Sequence, residues 1–233
     1  MRNCEVQKVI GEIIRIFLSK FGVSNSESLN EQNLQINPID HNSLEGMNKF
    51  YSNLKVVEKY VDSERIAFYN SVINLLIDKG IEIEHKNIVD IGCGTGHLLK
   101  LIGENFETSN LLGLEYSNSA IEIAKKIYPK ATFCQFDIYK EYPQKFDVLL
   151  CTEVLEHLLY PNKALEACLQ MIASEGTLLI TVPDGRKDTY LGHINFWSPE
   201  SWKIFIEANC KEFQLDIGII KKNVNYAIIK KTC

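Results

Sequence analysis

Between Asn87 and Asp184 short apolar runs alternate with amphipathic stretches, and this alternation limits the fold more than any other feature of the chain. "NIVDIG" reads as a strand and "HLLKLIGEN" as a helix; "NLLGLEY" is a strand, followed by the helix "SNSAIEIAKKIYP" with Ser117 or Asn118 as its cap. "ATFCQFDI" and "FDVLLCTEV" are two further strands, "PNKALEACLQMIA" is a helix opening at Pro161, and "GTLLITVPD" is a fifth strand. "SPESWKIFIEANC" is a helix capped by Ser198, and "EFQLDIGIIKKNVNYAIIKK" reads as two strands around Lys221–Asn223. Strands and helices in this order build an open, mainly parallel α/β sheet with helices on both faces, to which the closing hairpin adds an antiparallel strand. Ligands of such sheets sit beyond the carboxyl ends of the strands.

Upstream, Val6, Val9, Ile10, Ile13 and Phe17 follow helical spacing, while Glu12 and Arg15 break the apolar run that a signal peptide needs. This helix and the polar stretch 24–45 form an N-terminal appendage, residues 1–45, suited to a lid, a partner contact or a homodimer interface; residues 46–233 form the main domain. One helix is expected over about 47–60 and another from Asp62 or Ser63 to Lys79, ended by Gly80. The 233 residues carry a formal net charge of −5, which argues against a large nucleic-acid footprint. No apolar run is long enough to span a membrane. The seven cysteines are odd in number, widely spaced and without a CxxC pair, so they read as small buried residues of a cytoplasmic protein.

The chemistry begins in "NIVDIGCGTGHLLKLI". Gly92, Gly94 and Gly96 stand at alternate positions, one residue short of the G-x-G-x-x-G spacing that takes a pyrophosphate. Asp90 precedes them. Glu115 ends the second strand, where a carboxylate accepts hydrogen bonds from two ribose hydroxyls and repels a 2′-phosphate. Asp137 ends the third strand, where an acid accepts from an adenine amino group.

Taken together, "VDIGCGTG", "GLEYSNSAIEIAK", "FDI", "FDVLLCTEVLEHL" and "GTLLITVPD" resemble the successive motifs of class I S-adenosylmethionine-dependent methyltransferases, over about residues 50–230. The resemblance implies a Rossmann-like seven-stranded sheet with one antiparallel strand. It implies that Gly92, Gly94 and Gly96 pass under the methionine part of the cofactor and that Asp90 helps fix its ammonium group, directly or through water. Glu115 would hold the ribose, with Tyr116 beside the adenine; Asp137 and Ile138 would meet the adenine edge, and Thr152 would lie near the sulfonium. A crevice lined by acids suits a ligand that carries an ammonium, a sulfonium and no phosphate.

The acceptor end is less determined. "EVLEH" and the later "H-x-x-F-W-S" resemble small-molecule O-methyltransferases of the ubiquinone-biosynthesis and sugar-modifying kinds, and more loosely the small-RNA 2′-O-methyltransferases, in which a similar set holds a divalent ion. Two readings of Glu153, Glu156, His157 and His193 stay open: His157 or His193 as a general base, or some or all four as ligands of a divalent metal. A third reading makes them a helix cap, a packed ring and a lid residue.

Other residues have simpler expectations. His97 reads as helix surface, Trp197 and Trp202 as core or lid packing, and Cys151 as a buried thiol. Tyr51, Tyr60 and Arg65 lie in helices able to cover the site, with packing the default, while Lys221 and Lys222 read as solubility charges at a turn. No Asn/Asp-Pro-Pro-Tyr/Phe follows strand four and no Pro-Cys occurs, which disfavours adenine amino-group and cytosine C5 methylation of those styles. The expected activity is methyl transfer from S-adenosylmethionine to an oxygen of a small-molecule or peptide natural-product acceptor, without nucleic-acid or membrane partners. The alternatives are a metal-assisted RNA 2′-O-methyltransferase and a non-catalytic cofactor-binding module.

Overall fold

The computed structural model describes residues 37–231. Seven strands form one sheet: β1 Asn87–Ile91, β2 Asn110–Glu115, β3 Thr132–Gln135, β4 Phe146–Thr152, β5 Ile172–Pro183, β6 Phe213–Ile220 and β7 Val224–Lys231. Their order is β3-β2-β1-β4-β5-β7-β6. Strands β1 to β5 run parallel, and β7 inserts antiparallel between β5 and β6. The chain winds outward in one direction from β1 and in the other from β4, so a crevice opens between the carboxyl ends of these two central strands.

The sheet is buried on both faces, and its side chains alternate between two cores. Ile88, Val148 and Leu150 face the first core; Val89, Ile91, Leu149 and Cys151 face the second. Helices α4 (Ser63–Asp78), α5 (His97–Asn105) and α6 (Asn118–Ile127) cover the first face. Helices α7 (Pro161–Gln170) and α8 (Pro199–Asn209) cover the second, where Trp202 is fully buried. The unbroken apolar run Val148–Cys151 in β4 is what a strand covered on both faces requires.

Local chemistry sets the element ends. Asp62, Ser117 and Ser198 cap α4, α6 and α8, their side chains accepting from the amides of Arg65, Ala120 and Ser201. Gly80, at φ +65°, closes α4: its amide bonds to the Ile77 carbonyl, and that of Ile81 to the Leu76 carbonyl. The helix expected over 47–60 is two: α2 (Leu44–Tyr51) and α3 (Leu54–Lys59), where Asn53 stops the first register and caps the second. The stretch expected to be linker up to residue 45 already contains a helical turn, α1 (Pro38–His41). Strand β3 ends at Gln135, before Asp137, and β5 begins at Ile172 with an irregular register against β4.

Five cysteines are free thiols (Cys93, Cys134, Cys151, Cys168 and Cys210); Cys4 and Cys233 lie outside the described residues, as does the N-terminal amphipathic helix with its homodimer role. Among the described residues no helix is long and apolar enough to cross a membrane.

Candidate active site

A cavity of about 760 Å³ lies over the carboxyl ends of β1, β2, β4 and β5 and is roofed by α1–α4. Its first half is built on the glycine loop. Gly92, Gly94 and Gly96 have φ of +73°, +51° and +76°, values that side chains resist. A β-carbon on Gly92 would overlap the Val154 side chain, so this turn has no room for another residue. The amide of Gly94 is thereby aimed at Glu115 Oε2 (2.9 Å), and the amide of Ser117 donates to Oε1 (2.8 Å). Glu115 is 4% exposed; burial raises its pKa, and the amides of Ser117, Gly94 and Tyr116 oppose that rise. Each oxygen keeps a lone pair for a further donor.

Asp90 is 2% exposed, and its Oδ1 has no hydrogen-bond partner among the described residues. Burial, followed by the charge of Glu115, drives its pKa well above the carboxylate range. Such an orphaned oxygen on a cavity wall calls for a cationic or proton-donating ligand. Tyr116, Asp137, Ile138 and Thr152 also line the wall. Asp137 is half-buried, its Oδ1 accepting from the Tyr139 amide (3.1 Å). Gly96 does not reach the cavity: it turns the chain into α5 against Phe133 and Ala124.

The second half centres on the 3-10 turn Leu155–His157 and the loop 184–198. An oxygen of Glu156 lies 4.0 Å from His157 Nε2 and 3.8 Å from His193 Nε2. Those separations exceed a hydrogen bond. His157 Nδ1 faces the Gly192 carbonyl (3.2 Å) and therefore carries the proton; His193 Nδ1 meets the Asp188 carboxylate and carries one too. Both Nε2 atoms are then lone-pair acceptors turned toward Glu156, which is 1% exposed with both oxygens unpartnered among the described residues. Ligand atoms of the three residues lie within 4.8 Å of one another, a spread that a divalent cation with bonds of about 2.0–2.2 Å can close. Burial and then the neighbouring Glu153 raise the Glu156 pKa far above its usual range. Burial and then His193 lower that of His157 to about 3, which keeps its ring neutral and makes it a poor base.

Glu153 is outside this trio. It follows β4 directly, at a left-handed φ of +56°, and its Oε1 accepts from Thr181 Oγ1 (3.2 Å). Burial raises its pKa to about 7 against the opposing charge of Arg65. A strained, half-buried carboxyl at the end of the central strand is placed as a proton acceptor.

Sequence reasoning undervalued several wall residues. Tyr51 and Tyr60 share a hydrogen bond (2.8 Å) above Gly94. The Arg65 guanidinium lies 5.5 Å from the Tyr60 ring and finds no hydrogen-bond acceptor among the described residues. Asp188 had no motif to mark it. Lys221 is on the wall: with Lys222 it forms a left-handed two-residue turn (φ +50° and +66°), and its Nζ donates to the Glu64 carbonyl (3.3 Å). His97, expected on the helix surface, is 7% exposed, with Nδ1 against Thr95 Oγ1 (2.8 Å) and a pKa lowered by burial to about 4. The roof is pinned on both sides. Asn48 Oδ1 accepts from Ser117 Oγ (2.8 Å) and the Ser119 amide (3.2 Å), while Asn42 donates to the Gly192 carbonyl (2.8 Å) and His41 Nε2 meets Tyr190 Oη (3.1 Å).

A profile of the methyltransferase-domain family matches residues 61–212. Among curated proteins, the ubiquinone biosynthesis O-methyltransferase of Saccharophagus degradans is 27% identical over 124 residues, 49% of this chain and 51% of that one. The chain thus spans about half the length of the curated relatives it matches. Among solved structures, the N-methyltransferase NodS of Bradyrhizobium japonicum, in complex with S-adenosylhomocysteine, superposes with a TM-score of 0.65 at 16% identity, covering 82% of this chain and all of that one. The magnesium protoporphyrin IX methyltransferase of Synechocystis PCC 6803, with bound S-adenosylmethionine, gives a TM-score of 0.60 at 15% identity over 86% of this chain and 100% of that one.

Proposed function

The chain belongs to the methyltransferase-domain family, and from that membership we propose that it transfers a methyl group from S-adenosylmethionine to an oxygen of a small-molecule acceptor. The observation that carries this reading is the join within one cavity: an acid-lined nucleoside crevice opens directly onto Glu156, whose carboxylate oxygens have no partner among the described residues, and the two imidazoles beside it.

The first half fits the donor. Asp90 Oδ1 would take the ammonium, Arg65 the carboxylate and Glu115 the two ribose hydroxyls, with Tyr116, Asp137 and Ile138 around the adenine and Thr152 near the sulfur. NodS and the protoporphyrin enzyme hold the same nucleoside, or its product, on the same fold. Bound S-adenosylmethionine supplies a methyl group already activated by its sulfonium. What remains for the protein is to align the acceptor oxygen in line with the carbon–sulfur bond and to receive its proton.

Glu156, His157 and His193 would hold a divalent cation, whose charge lowers the pKa of an acceptor hydroxyl. Glu153 receives the proton as the oxygen–carbon bond forms and the sulfur leaves as a thioether. Tyr51, Tyr60 and the roof exclude water from this step. An oxygen acceptor is supported by this ligand set and by the O-methyltransferase relatives. A cavity of this volume, closed above by helices, favours a small molecule over a polymer.

The test is turnover of methyl-labelled donor with metabolite extracts, before and after nuclease treatment. Label in a small nuclease-resistant product, lost on chelation and restored by added metal, is the expected result. Label in RNA would overturn the acceptor class, and activity indifferent to chelation would overturn the ion.

A further inference from the structure

Loop 184–198 carries an acid on the cavity wall, next to His193. Asp188 is largely buried, and each of its carboxylate oxygens has one partner: Oδ1 accepts from the Tyr190 amide (3.0 Å), and Oδ2 accepts from His193 Nδ1. The loop under it is fixed. Asp184, 1% exposed, is gripped by the guanidinium of Arg186 (2.8–3.3 Å), and its carbonyl receives the amides of Lys187 and Asp188. Further along, the amides of Ile194 and Asn195 bond to the Glu156 carbonyl, and the Asn195 side chain to those of Leu155 and Leu158. His193 is thus tethered beside the turn that bears Glu156 and His157, and the position of its ring proton decides which nitrogen offers a lone pair.

We propose that Asp188 is the positioning residue of the cation site, holding His193 in the Nδ1-protonated tautomer so that its Nε2 lone pair joins Glu156 and His157. This rests on the ion reading above. The same logic is already present at His157, where the Gly192 carbonyl takes the Nδ1 proton. A carboxylate behind a metal-binding imidazole fixes its ring and strengthens its lone pair. Asparagine cannot substitute, although it is nearly isosteric. Asp188 accepts at both oxygens, and asparagine offers one acceptor and one donor. With its carbonyl toward Tyr190, the amide nitrogen faces His193 and drives the proton to Nε2, which removes the ligand. With the amide toward Tyr190, two donors collide.

The experiment needs no acceptor. Imidazole nitrogen shifts of metal-free protein, with the His193 signals assigned by their loss in His193→Gln, report the tautomer; calorimetry with Zn²⁺ alone reports affinity; S-adenosylhomocysteine affinity and the melting temperature report folding. The expected result is an Nδ1–H tautomer in the wild type, an Nε2–H tautomer in Asp188→Asn, and Zn²⁺ binding weakened about 10- to 100-fold with S-adenosylhomocysteine affinity unchanged. An Nε2–H tautomer in the wild type overturns the proposal even if the variant fails to fold, and so does an Asp188→Asn protein that binds Zn²⁺ as tightly as the wild type. A wild type that binds no Zn²⁺ overturns the ion reading instead, and the metal-free tautomer still decides the role of Asp188.

Discussion

At the residue scale, the two carboxylates at the ends of β2 and β4 make opposite uses of burial. Glu115 stays useful as an acceptor because backbone amides stabilise its charge. Glu115→Ala should weaken S-adenosylhomocysteine binding about 10- to 100-fold by calorimetry, the equivalent of about 1.5–3 kcal/mol for hydrogen bonds to a charged group. Glu153 has one hydroxyl partner and is raised to about 7. A base must be deprotonated, so turnover should climb as pH rises through about 7 and level off above it. Glu153→Gln should abolish that limb and most of the rate, and a profile in the variant that still bends near 7 would assign the limb elsewhere. The glycine loop, Asp90 and Glu115 were legible because their spacing along the chain matches their spacing at the strand ends. Asp188 was not, because its importance comes from a partner five residues away in an irregular loop, which no periodicity encodes.

At the scale of elements, strands and caps were readable wherever one local rule dominated: the apolar run of β4, Ser117 and Ser198 at helix starts, Gly80 at a helix end. The readings failed where tertiary contact competes. The break at Ser52–Asn53 costs little locally and is fixed by the way α2 and α3 fold over the glycine loop, with Tyr51 and Tyr60 joined above Gly94. Helix α4 carries Arg65 and Tyr69 into the cavity, and Asp62 caps it by accepting from the Arg65 amide (2.7 Å). Asp62→Ala should destabilise the protein by about 1 kcal/mol in urea unfolding. It should also weaken donor binding slightly, because the cap and the guanidinium share a turn. A loss of stability with no change in affinity would separate α4 from the donor site.

At the scale of the whole molecule, stability and the site depend on the same central strands. Leu149 on β4 is fully buried, three residues before Thr152 reaches the cavity wall, and Leu149→Ala should cost about 2–5 kcal/mol. Saturating S-adenosylhomocysteine at about 100 times its dissociation constant should return about 2.7 kcal/mol, so the variant's melting temperature should recover only when the nucleoside is present. The roof adds a further property. One side of it is bonded to Ser117 and Ser119 beside the nucleoside crevice, the other to Gly192 and Tyr190 beside the histidines. A bridge anchored on both banks is a route for coupling the nucleoside to the proposed cation, and linkage makes any such coupling reciprocal: whatever factor the nucleoside contributes to cation affinity, the cation contributes to nucleoside affinity. Asn42→Ala, which cuts one of the two moorings on that bank, should shrink both factors together when Zn²⁺ and S-adenosylhomocysteine are titrated each in the presence of the other.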